Sequence, residues 1–448
     1  MYGNFSLRPS FVLIHRYVGL VIAGFLLIAG LTGALLAWYD DLDMAINAAW
    51  HQVTISSPGV FAPDPLLVRK TLLEKHPGVQ ISYLLLAPAK PDKTFQVYVS
   101  PRPDSATGRV TPLLNNQWFV NPHTFDVMGK RQWGDITQGV KNLMPFIYRL
   151  HYTLALGEIG RSVFGVIALL WTLDCFVGAY LTFPVRSRRK ALTPKRFPHH
   201  TKSWWQRWRP TWRVRWKGGN YRLNVDLHRA GGLWVWAMLL VLAWSGVAFN
   251  LSEVYNPVMR SVFAHQEDIR SLPALSSSQL DPPIDWFEAR TIGRGLMEEQ
   301  AQAQAFTVNH ESSMYYDAER AVYFYSVHSS RDVGNTGNTS VVLDASSGEL
   351  KGIWLPTGAA SGDTITTWME NLHKAALWGW PFKLFISLMG MAVAMLSMTG
   401  VIIWWRKRKA RVRAQLNVKK RLDKVSQQPF RIENKRAGVL QSNHTFTD

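Results

Sequence analysis

Four stretches are apolar for long enough to cross a bilayer, at 11–38, 163–183, 233–249 and 384–405. A hydrocarbon core of about 30 Å takes about 20 helical residues, so each predicts a transmembrane helix. Between the first two, residues 40–150 change character. An amphipathic helix is predicted at 65–76, capped by Asp64, with Leu66, Leu67, Leu72 and Leu73 on one face. β-Rich runs follow at 79–86, 95–99 and 117–120, the last closed by the turn signal Asn121-Pro122-His123. Residues 251–370 repeat this grammar, with a helix at 284–299 and strands at 321–327 and 339–343. The turn at 344–349 stands where 121–126 stands in the first segment.

The repeat extends to the apolar stretches. His15 opens the first in the pattern His-Arg-x-x-Gly-Leu, and His228 opens the third in the same pattern. A second glycine follows each by 18 residues, Gly33 and Gly246. His151 is followed at 6 and 27 residues by Gly157 and Gly178, and His373 at the same offsets by Gly379 and Gly400. Four histidines in an A-B-A-B order imply an internal duplication, the halves meeting near residue 215. The expected fold is an α-helical membrane bundle of four transmembrane helices plus two external α+β modules.

Charge gives this pattern an orientation. The chain has 50 Lys+Arg against 31 Asp+Glu, a net charge of +19. Thirteen of the basic residues lie in 184–227 with one acid, and another thirteen in 406–448 with three acids. Each stretch directly follows an apolar one, which is the positive-inside signature and not that of a nucleic-acid binder. The first apolar stretch is too long for a signal-peptide core, so it is expected to be retained. The organisation becomes 1–39 cytoplasmic N-terminus and first span, 40–150 external, 151–185 second span and 186–227 cytoplasmic loop. It continues as 228–250 third span, 251–370 external, 371–405 fourth span and 406–448 cytoplasmic tail, expected to be mobile. Trp204, Trp205, Trp208, Trp212 and Trp216 alternate with arginines in the loop and predict a segment lying on membrane lipid. The single cysteine, Cys175, excludes an intrachain disulfide.

This topology sorts the four histidines. His15 and His228 fall at the cytoplasmic side and His151 and His373 at the outer side. Two pairs of imidazoles in an apolar bundle, with no thiolate cluster, point to two b-type haems, each iron held between facing helices. Glycines on the same helices would leave room for the flat macrocycle. Arg16, Arg229, Arg161 and Lys374 lie close enough in sequence to hold propionates. Asp174, in mid-span, is a candidate proton relay or quinone contact. Tyr152, Trp378 and Trp380 near the outer pair are candidates for a substrate surface. His151 precedes Arg186 by 35 residues and His373 precedes Arg406 by 33, about 50 Å of helix. Either the outer site projects from the membrane, or the helices break near Gly157 and Gly379.

HRYVGL at His15, LHYTLALGEIGR at Leu150, LHRAGGL at Leu227 and LHKAALWGWP at Leu372 resemble the PepSY-associated transmembrane proteins of Gram-negative inner membranes. The resemblance covers nearly the whole chain. It implies that the external segments are PepSY modules, and that His15, His151, His228 and His373 are haem ligands. It also implies electron delivery across the membrane to ferric siderophores, or other ferric chelates, in the periplasm. Phe125-Asp126 departs from the family's usual Gly-Glu turn. The electron donor, a quinol or a cytoplasmic reductase, stays open, since no strand-bound Gly-x-Gly-x-x-Gly is present. Two other readings stand beside this one: a membrane-anchored binding or inhibitory protein without catalysis, and a quinol oxidoreductase with a different periplasmic acceptor.

Overall fold

The computed structural model of the protein describes residues 7–54, 63–86, 92–104, 107–185, 202–269 and 271–426. The start of the basic loop, 186–201, and the end of the basic tail lie outside them. In the first half, α1 (Arg8–Leu36) is followed by α2 (Tyr39–Ile46), α3 (Ala48–His51) and α4 (Pro65–Lys75). Then come β1 (Val79–Gln80), β2 (Tyr83–Leu85), β3 (Phe95–Tyr98), β4 (Ser100–Pro101), β5 (Gln117–Val120) and β6 (Val127–Arg131). α5 (Leu143–Thr153) and α6 (Gly157–Thr182) close the half, and α7 (Trp204–Trp208) lies in the connection.

The second half runs through α8 (Asn220–Trp234), α9 (Trp236–Asn250), α10 (Ser252–Val262) and α11 (Trp286–Ala303). It continues with β7 (Val308–Asp317), β8 (Val322–Ser329), β9 (Thr339–Asp344) and β10 (Leu350–Trp354). It ends with α12 (Ser361–His373) and α13 (Trp380–Ser426). The order membrane helix, amphipathic helix, strands, short helix, membrane helix therefore occurs twice.

Among the described residues, three helices are long and apolar enough to cross a membrane: α1, α6 and α13. α8 and α9 make a fourth if counted as one span, and they meet at a 72° bend. The protein is thus a membrane-associated helical protein with three or four candidate spans and β sheets. The third span expected over 228–250 is broken within its length: the chain turns at Val235, where φ is −109° and ψ is 8°. The tail begins as helix, since α13 runs on to Ser426, and the rest of it lies outside the described residues. α1 and α13 cross where Gly30 meets Gly390. A Cβ on Gly30 would lie 2.5 Å from the Gly390 carbonyl oxygen, so only glycine permits the approach.

The two strand-bearing segments, 40–150 and 251–370, do not form two separate sheets. β2 of the first segment pairs antiparallel with β7 of the second, Tyr83 opposite Tyr315 and Leu85 opposite Ser313. This makes a five-stranded sheet in the order β10-β9-β8-β7-β2, beside a three-stranded β3-β5-β6 sheet. One apolar core runs through both, from Leu66, Leu72 and Val97 to Tyr323, Val341 and Leu343. Arg290 ties the segments again, binding Asp64 of the first and Glu311 of the second. α4 starts where predicted, with the Asp64 side chain accepting from Leu66 N at 2.8 Å. Its buried face is Pro65, Leu66, Val68 and Leu72, whereas Leu67 is exposed. The expected strand at 79–86 is split into β1 and β2.

Candidate functional site

The four histidines meet in the pairs their order predicts. The ring centroids of His15 and His228 are 6.1 Å apart, with planes at 54°. Those of His151 and His373 are also 6.1 Å apart, with planes at 76°. With metal–nitrogen bonds of about 2 Å and about 1 Å from nitrogen to ring centre, imidazoles on opposite sides of one metal have centres about 6 Å apart. Both pairs match that spacing.

Hydrogen bonds fix which nitrogen faces the gap. His151 Nδ1 lies 3.0 Å from Thr32 Oγ1, and His373 Nδ1 lies 2.5 Å from Ser245 Oγ. Both hydroxyls give their hydrogen to a carbonyl one turn back, Ile28 at 2.6 Å and Val241 at 2.7 Å. Each hydroxyl therefore accepts from the imidazole, which carries its proton on Nδ1. His228 Nδ1 lies 3.1 Å from the Leu396 carbonyl, which can only accept, and 3.1 Å from Thr399 Oγ1. His15 Nδ1 donates to Asp174, 2.9 and 3.0 Å from its two carboxyl oxygens. Each arrangement suits an imidazole that donates through Nδ1, and Nε2 has no hydrogen-bond partner among the described residues. A ligand imidazole needs this state, with the other nitrogen anchored by the protein. The residues present therefore fit two metal centres with two imidazoles each. Among the described residues no cluster of three or more His, Cys, Asp or Glu forms a conventional metal site.

The glycines act differently from the expectation. A Cβ at Gly33 would lie 3.0 Å from His151 Cε1, at Gly178 3.5 Å from His15 Cε1, and at Gly400 3.2 Å from His228 Cε1. These three make room for the imidazole of the opposite repeat element. Gly246 breaks the pattern and faces Ala168. Gly157 and Gly379 have φ of +63° and +65°, at the breaks that separate α5 from α6 and α12 from α13. The long path from the outer histidines is thus resolved by broken helices: His151 and His373 end short helices packed over the spans.

Of the expected propionate partners, three already hold a carboxylate of their own helix. Arg229 pairs with the buried Asp226 at 2.9 Å, Arg161 with Glu158 at 2.9 Å and Lys374 with Glu370 at 2.9 Å. Arg16 has no ion-pair partner among the described residues. Tyr152 sits in the last turn of α5, its ring 5.4 Å from that of Tyr148. Trp378 and Trp380 are exposed around the start of α13. The Trp/Arg stretch packs partly on the protein. Trp208 Nε1 donates to Thr182 Oγ1 at 3.2 Å, and Trp208 and Trp212 join α6, Leu233 and Trp236 around an apolar cavity of ≈380 Å³. Trp205 and Trp216 stay exposed.

Sequence reasoning missed Thr32, Ser245 and Thr399. Its signal was present for two of them: Thr32 follows His15 by 17 residues and Ser245 follows His228 by 17. No curated protein matches the chain. A family model described as the PepSY-associated TM region matches residues 12–407. With that match over nearly the whole length, the chain belongs to the PepSY-associated transmembrane family.

Proposed function

We propose that the protein is an inner-membrane diheme b-type cytochrome. In this reading it moves electrons from a quinol or a cytoplasmic reductase to ferric siderophores, or other ferric chelates, in the periplasm and releases Fe(II). The observation that carries the reading is the pair of 6.1 Å imidazole contacts, one at each end of the bundle, with every Nδ1 tied down. Each iron porphyrin, when bound, supplies one-electron transfer. The protein's part is positional. His15 and His228 would hold the inner group and His151 and His373 the outer, with Arg16, which has no ion-pair partner among the described residues, available to meet a propionate. Tyr152, Trp378 and Trp380 would form the surface a ferric chelate meets. Release follows because hard oxygen donors hold Fe(II) less tightly than Fe(III).

The test is haem content and the reduced absorption spectrum of the purified full-length protein and four variants. His15→Ala or His228→Ala should remove one haem and spare the other, and His151→Ala or His373→Ala should do the reverse. Each should abolish transfer from a membrane donor to a ferric chelate. Four variants that all keep two haems would refute the ligand assignment. A wild type without haem would refute the cytochrome reading and favour a binding protein. Reporter fusions at Leu114 and Ser330 should read periplasmic and a fusion after residue 426 cytoplasmic.

A further inference from the structure

The four ring anchors are not alike. His151, His373 and His228 give their Nδ1 proton to uncharged oxygens: Thr32, Ser245, and Leu396 with Thr399. His15 gives its proton to a carboxylate. Asp174 is 9% exposed, and its carboxylate has no other partner among the described residues. The duplication shows that this is a departure. Asp174 follows His151 by 23 residues, and the position 23 after His373 is Leu396, which reaches His228 with its backbone. A carboxylate placed inside an apolar span is costly and seldom without a role. It is also not required for anchoring, since the other three rings are held without one.

From this asymmetry we infer that Asp174 is a positioning residue that sets the inner centre at a lower reduction potential than the outer one. The inference rests on the two-haem reading above. A carboxylate accepting Nδ1–H makes the imidazole a stronger donor through Nε2, and hydrogen bonds to a charged acceptor are about twice as strong as neutral ones. A stronger donor favours the oxidised metal, which is one of the levers by which a protein sets a haem potential. Neutral hydroxyl and carbonyl acceptors do this less. With the carboxylate on the His15/His228 side alone, electron movement toward the His151/His373 side is downhill. The asymmetry would give a nearly symmetric, duplicated bundle a direction.

The experiment is a spectroelectrochemical titration of the purified, haem-loaded full-length protein. The wild type should show two waves, and the lower one should be missing from His228→Ala and present in His373→Ala. Asp174→Asn, which keeps size and a hydrogen-bond acceptor, should retain two haems and shift the lower wave upward without moving the upper. Thr32→Asp should shift the upper wave downward, and Asp174→Glu should restore the wild-type gap. Loss of the lower wave in His373→Ala would overturn the inference, and needs no Asp174 variant to fold. So would an Asp174→Asn protein with two haems and both potentials unmoved. Neither result touches the cytochrome reading, which fails only if the wild type carries no haem.

Discussion

Thr32 and Ser245 occupy the same position in the two halves and hold the two members of one histidine pair, His151 and His373. Both hydroxyls are oriented by the carbonyl one turn back, so each presents a lone pair and not a hydrogen to its imidazole. The outer pair is thus gripped by the first and third membrane elements, although its histidines sit on α5 and α12.

Thr32→Val and Ser245→Ala remove the acceptor and keep most of the volume. Loss of such an outer partner lowers metal-site affinity about 10- to 100-fold. In the two-haem reading proposed above, each variant should lose haem from the His151/His373 site to a competing apo-haem protein faster than the wild type, while haem at the His15/His228 site is retained at the wild-type rate. Equal loss from both sites would show that the hydroxyls do not address one pair.

Glu311 predicts a pH dependence for the external core. Burial favours its neutral form, but hydrogen bonds from Arg290, Arg294 and Tyr325 outweigh that and hold its pKa at about 2, below the ordinary 4.5. A depressed carboxyl contributes fully above its unfolded pKa and fades as pH falls toward the folded one. Stability should therefore drop between about pH 4.5 and 2, by at most about 3 kcal/mol from this group. Glu311→Gln should be less stable at pH 7 and show a flatter acid limb in thermal unfolding followed by near-UV circular dichroism.

Phe125 and Gly348 stand at the same place in the β5–β6 and β9–β10 turns, at φ of +60° and +75°. Their amides reach the matching carbonyls, Asn121 at 2.9 Å and Asp344 at 3.0 Å. Left-handed backbone costs a residue with a side chain about 1–2 kcal/mol. Gly348→Ala should therefore destabilise by about that much, and its Cβ would also press within 3.0 Å of Ile292 Cδ1. Phe125→Gly should change stability by less than about 1 kcal/mol, because relief of strain is offset by lost packing against the core. Thermal unfolding of both proteins decides it.

Leu154 and Ala155, at φ of +54° and +57°, make the break that lets α5 fold over α6. Ala155→Gly should raise the unfolding temperature, the strain relieved being about 1 kcal/mol. Deleting 154–156 should do the opposite, and in the two-haem reading should also eliminate haem at the His151/His373 site while sparing the His15/His228 site.

The sequence carried the pairing of the histidines because equal offsets on equivalent helices bring equivalent residues to equal heights. It carried α4 through its cap, and α1, α6 and α13 through apolar length. It did not carry β7: VNHESSMYYD mixes His, Glu and Ser with aromatics, and the strand lies mid-sheet with an irregular burial pattern. It did not carry the α8–α9 bend, which has neither proline nor glycine at Val235 to announce it. The contact between Asp174 and His15 also stayed hidden, because an acid in a span can be read as a proton relay, a quinone contact or a hydrogen bond to any neighbouring helix until the neighbouring ring is seen.

The shared sheet has a consequence for biogenesis. Tyr83 pairs with Tyr315, 232 positions later. When β2 leaves the ribosome, its partner strand has not been made, and α6, α8 and α9 must be threaded first. Long-range pairings of this kind form late and leave an unpaired edge exposed in the interval. The first external segment must therefore wait, incompletely folded, for the second. Docking of β2 onto β7 is possible only when both strand-bearing segments lie on the same side of any membrane the helices cross.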